Sequence, residues 1–136
     1  MTEYKKPLPY ITDLSKPYWE FAKKHELRMQ QCNKCRNFWY PPSFVCPSCW
    51  SRDFQWAQLS GRGKVNSWVV FHRAYYPGFQ DEVPYNVIEV QLDEGPRLMS
   101  NLVGVKNEDI RENMPVEVFF EDVTHEVALP KFRPRR

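Results

Sequence analysis

The stretch Cys32-Asn-Lys-Cys35-Arg-Asn-Phe-Trp-Tyr-Pro-Pro-Ser-Phe-Val-Cys46-Pro-Ser-Cys49 holds all four cysteines of the chain within eighteen residues. Three consecutive aromatics, Phe38, Trp39 and Tyr40, lie between the two Cys-x-x-Cys pairs. Each pair forms a knuckle that offers two thiolates to one side, so two knuckles complete a tetrahedron. Ten residues separate the pairs, a short interval that a tight hairpin spans. Four thiolates leave a metal no open position and point to one structural Zn²⁺ held by Cys32, Cys35, Cys46 and Cys49. The same closure argues against zinc catalysis, which needs a position for water or substrate. Iron in a Cys₄ site is chemically allowed, whereas disulfides do not suit a chain read as cytoplasmic. A module of this size cannot bury enough surface alone, so the metal supplies much of its folding free energy.

On the N-terminal side, SKPYWEFAKKHE (residues 15–26) reads as a short helix with Ser15 as cap and Pro17 in the first turn. Its aromatic face, Tyr18 and Trp19, packs either on this chain or on a partner. From Leu27 the pattern alternates into Cys32, as in a strand. Beyond Cys49 the expected strands are residues 54–60, 64–74, 85–92, 97–105 and 116–123, with turn signals at Gly61-Arg-Gly63, Pro77-Gly78, Asp93-Glu94-Gly95-Pro96 and Asn113-Met-Pro115. Residues 107–114 suit a helical turn. Strands at this spacing without long helices predict a small β-barrel of the OB type. The fold class expected is mainly β: an N-terminal arm and helix (1–26), a Cys₄ zinc ribbon (27–56) and an OB-fold-like barrel with a C-terminal tail (57–136).

The 136 residues, 42% of them hydrophobic, are enough for a folded protein, and no eighteen apolar residues run together. The N-terminus lacks a signal-peptide core, so the expected location is the cytoplasm, with no membrane partner. The formal charge is +2, but Lys131, Arg133, Arg135 and Arg136 crowd the end of the chain, where a solvated tail is expected. Without them fifteen basic residues face seventeen acidic ones, a body of charge −2 that is a poor match for a phosphate backbone. With the cysteines committed to metal no thiol nucleophile remains, and His25, His72 and His125 read as a solvated helix end, a barrel-rim residue and a turn residue. Gly61-Arg62-Gly63-Lys64 lacks the following helix of a phosphate loop and reads as a turn entering a strand. Arg62 and Lys64 are nonetheless reasonable anion contacts at the barrel mouth.

The order of these features resembles a known family. Tyr18-Trp19, Cys32-x-x-Cys35, Phe38-x-x-Pro41-Pro42, Cys46-Pro-x-Cys49, Gly61-x-Gly63-x-Val65-x-Ser67-Trp68 and Glu94-Gly95-Pro96-Arg97-Leu98 look like the zinc-ribbon plus OB-fold proteins catalogued as domain of unknown function thirty-five. The resemblance implies a non-catalytic accessory subunit, required by an acyl-CoA enzyme of the thiolase superfamily in a hetero-oligomer of α2β2 or larger stoichiometry. Such a subunit braces the catalytic subunit and helps form the coenzyme A thioester channel, in thiolytic cleavage or acyl transfer, including the degradation of aromatic compounds. Other members pair with hotdog-fold hydratases or thiolase-like aldolases. On that reading Lys34, Arg36, Arg62 and Lys64 are candidate coenzyme A contacts, and Tyr18, Trp19, Phe38, Trp39, Tyr40 and Phe44 candidate partner contacts. Two other classes compete: a single-stranded nucleic-acid-binding ribbon and OB module, which the negative body disfavours, and a small Cys₄ iron electron carrier. No nucleic-acid partner is expected.

Overall fold

The structure is a computed structural model and describes residues 6–135; Arg136 of the basic tail and residues 1–5 of the N-terminal arm lie outside them. Helix α1 (Lys16–Lys23) is followed by strands β1 (Arg28–Cys32), β2 (Phe38–Trp39), β3 (Phe54–Gln58), β4 (Arg62–Phe71), β5 (Tyr85–Leu92), β6 (Arg97–Ser100), β7 (Pro115–Asp122) and β8 (Ala128–Pro134). One sheet has the order β2-β1-β3 and the other β6-β5-β4-β7-β8. Short 3₁₀ turns at Pro77–Phe79 and Asn107–Asp109 complete the list. The second sheet is the OB-type barrel expected.

The five-stranded sheet curls until its ends meet. Strand β5 alternates regularly, with Asn86, Ile88, Val90 and Leu92 buried. Beyond β6 the chain crosses to β8 through a parallel bridge between Leu102 and Phe132, where Phe132 N donates to Asn101 O at 3.0 Å and Val103 N to Phe132 O at 2.8 Å. Buried Asn86 locks this seam. Its amide donates to Leu102 O (2.9 Å) and Asn107 Oδ1 (3.0 Å), while its Oδ1 accepts from Leu102 N at 2.7 Å. A buried amide so satisfied stabilises one closure of the barrel and would be costly in any other.

The ribbon is fused to this barrel rather than tethered to it. Tyr18, Leu27, Met29 and Leu59 share one core with Val65, Ile88, Val90, Leu92, Leu98, Val116 and Phe132. Gln30, also buried, pairs its side-chain amide with the backbone of Ser43 in both directions, at 2.7 and 2.9 Å, and so ties the proline-rich loop to β1. His25 Nε2 lies 3.0 Å from Asp122 Oδ1 and its ring stacks on Phe120, joining the end of α1 to β7 rather than standing free in solvent.

Three expectations change. Residues 54–58, expected among the barrel strands, pair with β1 along their whole length and extend the ribbon's sheet instead. The C-terminal segment is not a solvated tail up to Pro134: β8 pairs with all of β7, and Lys131 donates to Asn101 Oδ1 at 2.6 Å, its pKa drawn down chiefly by burial. Ser15 sits at the helix start without capping it, because its hydroxyl accepts instead from the Thr12 N–H at 3.0 Å.

The Gly-x-Gly pair is explained by packing. A Cβ on Gly63 would lie 2.5 Å from Gln91 O and 2.8 Å from Val90 Cγ1, and one on Gly61, whose φ is +78°, would lie 2.3 Å from Val118 Cγ1. Strands approach too closely there for any side chain. Gly63→Ala is therefore expected to lower stability by about 1–3 kcal/mol in urea unfolding; a change within about 0.5 kcal/mol would show that the strands have room to separate.

Candidate metal centre and partner-facing surface

The two knuckles are built alike. In the first, Arg36 N donates to Cys32 O at 3.0 Å; in the second, Trp50 N donates to Cys46 O at 2.9 Å. The residue after each second cysteine turns left-handed, with φ +66° at both Arg36 and Trp50, a conformation that favours glycine. Backbone N–H groups of Lys34 and Cys35 point at Cys32 Sγ, and that of Ser48 at Cys46 Sγ, each at 3.4 Å. Cys32 and Cys46 are buried, Cys35 and Cys49 face outward.

The four sulfurs form one cluster, all within 4.8 Å of one another, with Cys32–Cys49 at 3.5 Å and Cys35–Cys46 at 3.6 Å. A zinc ion bound at about 2.3 Å from each sulfur has tetrahedron edges of about 3.8 Å, so the cluster fits the ion with small adjustments. Among the described residues no His, Asp or Glu joins the four cysteines in this cluster. Beneath the sulfurs Trp39 and Phe54 meet edge to face at 5.7 Å, and with Cys32 and Cys46 they make a second, small core separate from that of the barrel.

Without metal the thiols differ. Cys32 is drawn down to about 6, first by the Cys35 N–H and then by that of Lys34 and by Cys49 and Cys35, against a desolvation that acts upward. At Cys35 the largest influence, the Asn37 N–H, acts downward, but desolvation and the three neighbouring thiols together outweigh it and push the group up to about 12. Cys46 is lowered: desolvation is its largest influence and acts upward, but the N–H groups of Cys49 and Ser48 and the thiols of Cys35 and Cys49 outweigh it. At neutral pH the cluster thus carries thiolate at Cys32 and a proton at Cys35.

The four anticipated cations do not gather. All are exposed. Lys34 and Arg36 stand on the first knuckle, past the Cys32–Phe54 end of the ribbon sheet, while Arg62 and Lys64 follow its Arg28–Gln58 end. The five-residue strands between separate the two pairs by about 13 Å or more. They form two separate basic spots, not one.

The anticipated aromatics also divide. Tyr18 (3% exposed) and Trp39 (6%) are spent on this chain's own cores, so neither is a free partner contact. Trp19, Phe38 and Tyr40 are half-buried against the main core, with the Tyr18 ring 5.0 Å from Trp19 and 5.4 Å from Tyr40. Phe44 is 70% exposed, and Trp50, which sequence reasoning missed, is 78% exposed. The signal for Trp50 was its place directly after Cys49, where the left-handed turn throws the side chain off the knuckle. Among the described residues no helix is long and apolar enough to cross a membrane.

Comparison with known proteins agrees with this architecture. Residues 19–55 match the family model described as ChsH2, rubredoxin-like zinc ribbon domain, and residues 56–121 that described as ChsH2, C-terminal OB-fold domain. A DUF35 domain-containing scaffold protein of Pyrococcus furiosus is 37% identical over 102 residues, 74% of each chain. A probable enoyl-CoA hydratase alpha subunit of Thermomonospora curvata is 38% identical over 95% of this chain, which spans only 40% of that relative's length. The benzoylsuccinyl-CoA thiolase subunit BbsA of Thauera aromatica is 32% identical over 57% of this chain and 52% of its own. Among solved structures, a chain of the Ltp2-ChsH2(DUF35) aldolase superposes with a TM-score of 0.86 at 38% identity, covering 93% of this chain and 98% of that one. The tetrad is accordingly one structural zinc site of the rubredoxin-like ribbon.

Because only thiolates ligate the metal, protons compete with it, and the sign of the pH effect follows. Zinc binding at neutral pH is expected to release protons, Cys35's foremost, and affinity is expected to fall as pH drops, more steeply below about 6, where Cys32 also protonates. Chelator competition between pH ~5.5 and ~8 measures this; an affinity independent of pH would contradict thiolate ligation. Cys46→Ser removes a buried ligand and should abolish stoichiometric zinc in the purified protein, as read by metal analysis.

Proposed function

The chain belongs to the DUF35 family of zinc-ribbon and OB-fold proteins, and from that premise we propose that it is a non-catalytic small subunit of an acyl-CoA enzyme complex whose catalytic subunit is of the thiolase superfamily. The observation that carries this reading is the division of the ribbon's resources. Every thiol of the chain is committed to the tetrad, while Phe44 and Trp50 stand on the metal-stiffened loops with most of their surface in solvent. Large exposed aromatics on a rigid mount are typical anchors of protein interfaces. The names of relatives agree in kind: a hydratase alpha subunit, a thiolase subunit and an aldolase complex each describe one part of a larger assembly.

In this reading the catalytic subunit supplies the nucleophile and base, and this chain braces it and lines part of the thioester channel. Either cation pair, Lys34 with Arg36 or Arg62 with Lys64, would meet coenzyme A phosphates by charge-assisted hydrogen bonds. Because the two pairs lie apart, only one is expected to do so. Reduced thiols free to hold metal support a cytoplasmic location in this reading. The Thermomonospora curvata relative favours a second partner, a hydratase, and identification of the co-purifying enzyme separates the two.

The purified chain is expected to turn over no thioester, and to co-purify from its host with a larger enzyme that does. Replacing Phe44 and Trp50 by Ala should weaken that association by roughly 30-fold or more while zinc content is retained. Charge reversal at one cation pair, and not at the other, should raise the KM for the acyl-CoA of the complex. Thioester turnover by the chain alone, or an association indifferent to both aromatics, would overturn the proposal.

A further inference from the structure

Strand β8 carries a cation without a close counter-charge. Lys131 is half-buried, and among the described residues its ammonium meets one acceptor, the neutral Asn101 Oδ1 at 2.6 Å. No described carboxylate lies within 4.0 Å of it. Glu121, which opposes Leu129 in the β7–β8 register while Phe119 opposes Lys131, attracts it from farther away. An ammonium has three donors, so two remain unused. Burial draws the pKa of this group down, the mark of a charge taken out of water without full compensation.

Lys131 lines a cavity of about 300 Å³ between β8, the Asn101–Asn107 segment and the β4–β5 loop. That volume is at the lower end of small-molecule sites. Two further donors belong to it. The Asn101 amide spends one N–H on Asn86 O, and the Asn107 amide one on Pro84 O at 3.2 Å, so each keeps a second N–H with no partner among the described residues. Much of the remaining lining is apolar, including Phe79, Tyr85 and Val103. Phe79 and Tyr85 stack at 4.9 Å, and Tyr85 in turn stacks on Phe71 at 5.2 Å, which fixes both rings. The second cation of the cavity, Lys6, lies 5.5 Å from the Phe79 ring centroid and is ion-paired with Glu82 at 2.8 Å.

We propose that this cavity binds a small organic monocarboxylate with a flat apolar body. Its carboxylate meets Lys131 and the two unused amide N–H groups, and its body lies against Phe79 and Tyr85. Charge counting sets the single negative charge: Glu82 already balances Lys6, and Glu121 repels a second anionic group beside Lys131. No arginine lines the cavity, so the fork that grips a phosphate is missing. Paired aromatic rings favour a planar, conjugated body by offset stacking. A thioester carbonyl is neutral and does not answer the ammonium. The site therefore reads a free acid, and it stands whichever enzyme the chain serves.

Sodium benzoate, titrated into the zinc-loaded full chain and followed by NMR, tests the site. A dissociation constant on the order of 0.1–1 mM is expected, with the largest amide shifts in residues 79–86 and 101–107 and at Lys131. Benzamide, of the same shape without the charge, and inorganic phosphate, charged without the ring, should each bind roughly tenfold more weakly or worse. Lys131→Met keeps the apolar stem and removes the charge; Val103→Trp keeps the charge and fills the space. Each should weaken benzoate binding roughly tenfold or more, and Val103→Trp serves where loss of the Asn101 bond unfolds the first variant. Saturation absent at roughly 10 mM benzoate, benzamide or phosphate binding as tightly as benzoate, or affinity unchanged in the folded variants overturns the proposal.

Discussion

Four sulfur atoms within 4.8 Å of one another are the constraint on which the outer half of this protein rests. The ribbon beyond Cys32 has little else to fold around: Trp39 and Phe54 in edge-to-face contact, the two buried cysteines, and the amide pairing of Gln30 with Ser43. That core is far smaller than a domain needs. A structural zinc contributes on the order of 10–16 kcal/mol to folding at neutral pH, enough to hold two knuckles that each spend a left-handed non-glycine residue, Arg36 and Trp50. Those residues carry side chains where glycine would be relaxed, and the Trp50 ring points away from the core it might have joined.

The inner half follows different rules. Tyr18 and Ala22 on α1, Leu27 before β1, Met29 within it, and Leu59 after β3 are all buried, and most share the hydrophobic core of the barrel. The ribbon therefore has one end made of hydrocarbon and continuous with the barrel, and another made of metal and sulfur. This joint orients the knuckles. Phe44 and Trp50 stand exposed at the metal-and-sulfur end, away from the hydrocarbon core.

The parts of this design that depend on spacing were legible in the sequence. Two Cys-x-x-Cys pairs at this interval point to one tetrahedral metal site, and the alternation Tyr-Asn-Val-Ile-Glu-Val-Gln-Leu reads directly as β5 with one face inward. What depends on a remote partner was not legible. Residues 128–134 resemble a tail because of Pro130, Pro134 and the two cations Lys131 and Arg133, yet β7 on one side and Leu102 at one point on the other make them the strand that shuts the barrel. Strand β3 looks like a barrel strand by composition, and only its register with β1 assigns it to the ribbon. Tyr18 and Trp39 carry the same aromatic signal as Phe44 and Trp50; burial separates them, and burial is a property of the whole fold.

The central claim is that the protein has two cores of different chemistry, with metal holding only the outer one. Hydrogen exchange of the zinc-loaded chain, compared with the same chain after chelation, tests it most directly. The account predicts that amides of residues 33–53 lose protection when the metal is withdrawn while those of β4 to β8, residues 62–134, keep theirs. Protection unchanged across the knuckles, or lost throughout the barrel as well, would contradict it.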